Sequence, residues 1–68
     1  MPSIPPLKRS IYLTAVEVAE NHARDALAHI TAEEDAGRLT PLMAADERVR
    51  LLENHLERLR QLRREYLS

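Results

Sequence analysis

Four side chains in the first half of the chain have the spacing of a possible metal site. His22, Asp25 and His29 lie at positions i, i+3 and i+7, so a helix would place them on one side, and Glu33 extends that side by a turn. Imidazole and carboxylate groups at this spacing can bind a divalent metal. Alternatively, the two histidines flank an apolar stripe and hydrogen-bond across an interface, as His55 would on the second helix. Because the chain lacks the Glu-x-x-His pairs of bundle di-iron sites, we expect no metal and no cofactor.

Residues for covalent catalysis are not arranged as a site. Ser3, Ser10 and Ser68 are expected in terminal or linking segments, and a single glycine cannot form a glycine-rich phosphate loop. A chain of two helices also offers little concavity in which a reaction could be shielded from water. We therefore predict that the protein is not an enzyme.

Basic residues suggest a binding surface instead. If two helices run antiparallel, the basic residues before the first helix lie beside the arginines that end the second helix, and the acidic residues gather at the loop. We call the first region the basic end and predict that it binds a partner. The predicted contact residues are Lys8, Arg9, Tyr12, Arg58, Arg60, Arg63 and Arg64. The acidic end contains Glu33, Glu34, Asp35, Asp46 and Glu47.

The second half of the chain carries a regular apolar stripe, which we call the leucine stripe. Its steps of three and four residues predict a helix over about 41–67. Thr40 is the expected N-cap and Pro41 the first helical residue. The stripe consists of Leu42, Ala45, Val49, Leu52, Leu56, Leu59, Leu62 and Tyr66.

A stripe of smaller residues, the alanine stripe, predicts the first helix. The sequence Thr14-Ala-Val-Glu17 fits a capping box, so we expect this helix over about 15–36, although a start near Pro6 is also open. Gly37 is expected to end it in the left-handed conformation. Small residues facing large ones allow close packing, so we expect the two stripes to face each other. The alanine stripe consists of Tyr12, Val16, Ala19, Ala23, Ala26 and Ile30.

Length and composition favour self-association. The 68 residues include no Cys, Phe or Trp, so neither disulfides nor large aromatic anchors can stabilise a small core. The loop at 37–40 is short enough to make the helices antiparallel neighbours. We predict an all-α fold: a Pro-rich, basic arm at 1–13 and an antiparallel two-helix hairpin at 14–68. We expect a homodimeric four-helix bundle with loops at opposite ends, so that each acidic end meets a basic end.

Net charge and hydropathy indicate the cellular compartment of the protein and whether it binds nucleic acid or a membrane. The net charge of −1 argues against strong attraction to nucleic acid or to an anionic membrane surface. The first residues lack the apolar region of a signal peptide, and no apolar run is long enough to span a bilayer. We expect a cytoplasmic protein without a membrane partner.

Three functions remain open. The first is a small regulator that binds itself and another protein, as an inhibitor, anti-activator or adaptor of bacterial or phage type. The second is nucleic-acid binding. Lys8-Arg-Ser-Ile-Tyr-Leu-Thr14 followed by two helices resembles the ribbon-helix-helix repressors, which implies a DNA-binding strand with Ser10 and Tyr12 toward bases and Lys8 and Arg9 on phosphates. The hairpin is also similar in layout to the Rop-type RNA-binding bundle. The third is a structural subunit of a larger helical assembly.

Overall fold

The computed structural model describes residues 6–67, which form two helices joined by a short loop. Helix α1 is Pro6–Asp35 and helix α2 is Pro41–Leu67, with no strand in this range. The helices are antiparallel, because Tyr12 near the start of α1 lies beside Tyr66 near the end of α2, with ring centroids 6.0 Å apart. The predicted all-α helical hairpin is thus confirmed.

Gly37 ends α1 as the sequence predicted. Its φ of 78° lies in the left-handed region, where glycine has no Cβ to cause strain. The N–H of Gly37 donates to the carbonyl of Glu34 at 3.0 Å, and the N–H of Arg38 donates to the carbonyl of Glu33 at 2.9 Å. These two bonds form a Schellman motif, which satisfies carbonyls that the end of the helix leaves unpaired.

Thr40 caps α2. Its Oγ1 accepts a hydrogen bond from the N–H of Met43 at 3.1 Å, and its carbonyl accepts one from the N–H of Ala44 at 2.9 Å. Pro41 takes the first helical position, where a missing N–H costs nothing. Both predictions for this turn are confirmed. The last carbonyl groups of α1 and the first N–H groups of α2 thus find hydrogen-bond partners within the few residues of the loop. Because the loop is so short, α2 lies directly alongside α1.

The start of α1 differs from the main prediction. The helix begins at Pro6 rather than near Ala15, and Thr14 and Glu17 lie inside it instead of forming a capping box. No proline or glycine interrupts residues 7–14, and Pro6 suits a first helical turn. The additional turns also give the last turns of α2 a neighbour, as the pairing of the two tyrosine rings shows.

This helical start corrects two further expectations. Residues 6–13 of the predicted arm belong to α1, while residues 1–5 lie outside the described residues. The strand required by the ribbon-helix-helix interpretation is helix at every position from Lys8 to Thr14. That interpretation is therefore wrong for this structure, because no ribbon is present there to enter a DNA groove.

The alanine stripe of α1 faces α2. Ala23 and Ile30 are buried, and the other members of the stripe are half-buried. The side of α2 that faces α1 is less apolar than expected. Its buried and half-buried residues are Ala44, Glu47, Arg48, Leu51, His55, Leu59, Leu62 and Tyr66.

The leucine stripe therefore faces α1 only near its C-terminal end. Its mean step is shorter than the 3.6 residues of a helical turn, so the stripe drifts around α2 as it proceeds. Leu42 and Leu62 consequently lie about 160° apart around the helix axis. Leu62 is 2% exposed and packs against α1, whereas Leu42 is 74% exposed. The expectation that the two stripes face each other therefore holds only toward the C-terminal end of α2.

Candidate functional site

An apolar surface on α2 has no covering element within the described residues. Leu42, Val49, Leu52 and Leu56 are 74, 55, 46 and 50% exposed, and we call these four residues the leucine face. They lie about a third of a turn around α2 from the residues that contact α1. Large apolar side chains are individually common on surfaces, but a continuous row of them is typical of an interaction site.

The basic end brings some predicted contact residues together. Tyr12 and Lys8 lie half-buried at the start of α1, with Tyr12 against Tyr66, and Arg9 is exposed. This part of the surface thus combines an aromatic pair with basic side chains. Such a combination can bind both apolar and acidic groups.

The arginines of α2 are more scattered than a single patch would require. Glu57 pairs with Arg60 at 3.8 Å and with Arg64 at 3.3 Å, which neutralises part of their charge. Arg58 and Arg63 lie about 140° apart around the helix. The structure therefore divides the arginines of the predicted partner-binding set between two sides of α2.

The acidic end is partly neutralised by the chain itself. The guanidinium of Arg38 donates to both carboxylate oxygens of Glu33, and Arg48 donates to Glu34 at 2.9 Å and to Thr31 at 3.2 Å. The hydrogen bond from Arg38 lowers the pKa of Glu33 below its ordinary value, more strongly than desolvation raises it. These contacts stabilise acidic residues that the helix dipole disfavours at a C-terminal end.

A groove of about 560 Å³ runs along the opposite side of the hairpin, between the helices. Small residues form much of its floor, and charged and polar residues line its α2 wall. From α1 it is lined by Ala15, Val18, Ala19, His22, Ala23 and Ala26. From α2 it is lined by Glu47, Arg50, Leu51, Asn54, His55 and Arg58.

The histidines are distributed differently from the possible metal site. His22 and His55 line the groove from opposite helices, whereas the Nε2 of His29 lies 3.8 Å from a carboxylate oxygen of Glu33. Asp25 is exposed. Within residues 6–67, no three histidine, cysteine or acidic side chains are grouped so that they could hold a metal ion.

Reasoning from the sequence missed the groove. A signal for it was present, because Ala15 and His22 alternate with two members of the alanine stripe, Ala19 and Ala26, at steps of four, three and four residues. Deciding that these residues form a wall of a groove required knowing which side of α2 faces them. That orientation depends on the drift of the leucine stripe and on the Gly37 turn.

In comparisons with known proteins, no family model, no curated protein and no solved structure matches the chain. Over the described residues, neither helix is sufficiently long and apolar to cross a membrane.

Proposed function

We propose that this chain is a small, non-enzymatic regulatory protein that forms a homodimer through the leucine face and binds another protein. The observation that carries this proposal is the exposure of Leu42, Val49, Leu52 and Leu56 in one row. Burying such a row removes apolar surface from water, which is the main favourable contribution to most protein association.

The single hairpin has a small core, which also favours pairing. Among the described residues, only Ala23, Ile30, Ala44 and Leu62 are buried apolar residues. Small domains with so little burial commonly gain stability by association. Two copies of α2 packed antiparallel would cover both leucine faces and place the loops at opposite ends.

This arrangement also suits the remaining charges. In an antiparallel pair of α2 helices, Arg60 and Arg63 lie on the side of Asp46 of the second copy. The contribution to affinity is modest, because Asp46, Arg60 and Arg63 are exposed and ion pairs between exposed residues are weak. Apolar burial supplies most of the free energy, and charge sets the direction of pairing.

The dimer would then act by occupying a surface of its partner, as an inhibitor, an anti-activator or an adaptor. The basic end supports this role, because Lys8 and Arg9 lie beside the half-buried pair Tyr12 and Tyr66. Aromatic and arginine side chains contribute strongly to many protein interfaces.

Sedimentation velocity of the full chain at several concentrations tests the homodimer. We expect the mass of two chains for the wild type and the mass of one chain for the double variant Leu52→Glu, Leu56→Glu, because two carboxylates cannot be buried in the paired leucine faces. Leu7→Glu is the matched control, since Leu7 is 75% exposed but lies on another helix. A wild-type monomer at all concentrations, or a double variant that still dimerises, would contradict the proposal.

A further inference from the structure

We infer that the groove between α1 and α2 binds an amphipathic helix from another protein, with large apolar side chains along one face and acidic side chains flanking them. This inference rests on the proposed function as a partner-binding protein and names the site and the chemistry of the partner. It concerns a surface other than the leucine face, and it shares only Arg58 with the residues predicted for the basic end.

The floor of the groove suits a helix with large side chains. Ala15, Ala19 and Ala26 lie along α1, and Leu51 supplies an apolar surface from α2. Alanines allow a third helix to approach closely, and the approaching leucine or isoleucine side chains fill the space that the alanines leave. The groove volume of about 560 Å³ has room for several such side chains.

The walls of the groove favour acidic flanks. Arg50 and Arg58 line the α2 side, whereas Glu47 is the only carboxylate among the lining residues and lies 3.5 Å from Arg50. Within residues 6–67, Arg58 makes no ion pair. His22 and Asn54 add groups that can donate hydrogen bonds to a carboxylate. The groove therefore has an excess of donors and positive charge along an apolar floor, which complements an acidic amphipathic helix.

The groove remains accessible in the proposed dimer. The lining residues of α2 and the leucine face lie on roughly opposite sides of that helix. A second copy fits the groove less well than an acidic helix does. Its leucine face is bordered by Arg60 and Arg63 as well as by Asp46, so it offers the arginines of the groove less negative charge than an acidic helix does.

Fluorescence anisotropy with two designed helical peptides tests the inference on the full chain. Both peptides carry the same leucine row, flanked by glutamates in one and by lysines in the other. We expect the acidic peptide to bind about tenfold tighter or more, and Arg58→Glu to remove that preference. Arg24→Glu is the charge-matched control, because Arg24 is exposed on α1 and lies outside the groove.

A second pair of variants tests the site by changing the shape of the groove floor. Ala19→Leu places a large side chain on the groove floor and should weaken the acidic peptide about tenfold, as expected for overpacking. Ala28→Leu makes the same change on the exposed side of α1 and should leave binding unchanged. Circular dichroism confirms helicity of each variant before binding is measured.

Three outcomes would overturn the inference. Equal binding of the two peptides by the wild type would show that the arginines of the groove do not select an acidic partner. Unchanged binding by a folded Ala19→Leu variant would show that the peptide binds outside the groove. Loss of the dimer in Ala19→Leu alone would show that a second copy occupies the groove. Because the dimer mass is measured without peptide, failure of the proposed homodimer is distinguishable from failure of the groove to bind.

Discussion

At the scale of single residues, Gly37 has the clearest structural role. Its φ of 78° makes the Schellman turn possible, and a Cβ built at this position meets nothing within 4 Å. Substitution therefore causes no steric conflict with neighbouring groups. The cost of a side chain comes from the left-handed backbone conformation itself, which most L-residues avoid.

We predict that Gly37→Ala destabilises the hairpin by about 1–2 kcal/mol, the usual cost of the left-handed conformation for a residue with a Cβ. Urea unfolding followed by circular dichroism measures this change. Gly37→Asn is the informative control, since asparagine tolerates the left-handed region better and should recover part of the lost stability. Equal stability of Gly37→Ala and the wild type would show that the turn can adopt another conformation.

Local chemistry made these turn residues predictable from sequence. Gly37, Thr40 and Pro41 each act through their own backbone and through neighbours a few residues away. The bridge from Arg48 to Glu34 could not be anticipated in the same way, because it depends on how α2 is rotated against α1. That rotation is a tertiary property and follows from packing rather than from any local motif.

At the scale of the helices, two predictions were wrong in whole or in part: where α1 begins, and which side of α2 faces α1. Both differences have the same physical cause. The capping box at Thr14 is a valid local pattern, but α1 continues through it because Tyr12 gains a packing partner in Tyr66. The leucine stripe is also a valid pattern, but its short mean step turns it away from α1 toward Leu42. The sequence thus predicts that there are two helices and at which residues α2 begins and ends. Which face each helix buries depends on the neighbouring helix.

A proline substitution tests where α1 begins. Ser10 is exposed within the second turn of α1, so Ser10→Pro removes a backbone donor and clashes with the preceding turn. We predict a loss of helical circular dichroism and a destabilisation of up to about 3 kcal/mol, less if only the first turns unravel. Ser10→Ala should be neutral or slightly stabilising. If the two variants were equally stable, the packed helix would begin after residue 10.

At the scale of the whole molecule, the hairpin is a single layer of two helices with different sides. One side carries the leucine face and the other carries the alanine-floored groove. A two-helix layer cannot enclose a core by itself, and the extents of 51 × 15 × 12 Å leave most side chains close to the surface. We therefore expect the stability of the hairpin to depend on its oligomeric state and hence on protein concentration.

Comparing Leu62 with Leu52 separates folding of the hairpin from its association. Leu62 is 2% exposed between the helices, so Leu62→Ala should cost roughly 2–5 kcal/mol at any protein concentration. Leu52 is 46% exposed on the leucine face, so Leu52→Ala should weaken the dimer and leave the contacts within each hairpin intact.

Thermal unfolding of both variants and the wild type, at protein concentrations differing a hundredfold, measures this difference. The Tm of the wild type should rise with concentration, and the gap between the wild type and Leu52→Ala should close at the dilution where the dimer dissociates. A wild-type Tm independent of concentration, together with a fixed penalty for Leu52→Ala, would mean that Leu52 stabilises the single hairpin and that the leucine face does not pair.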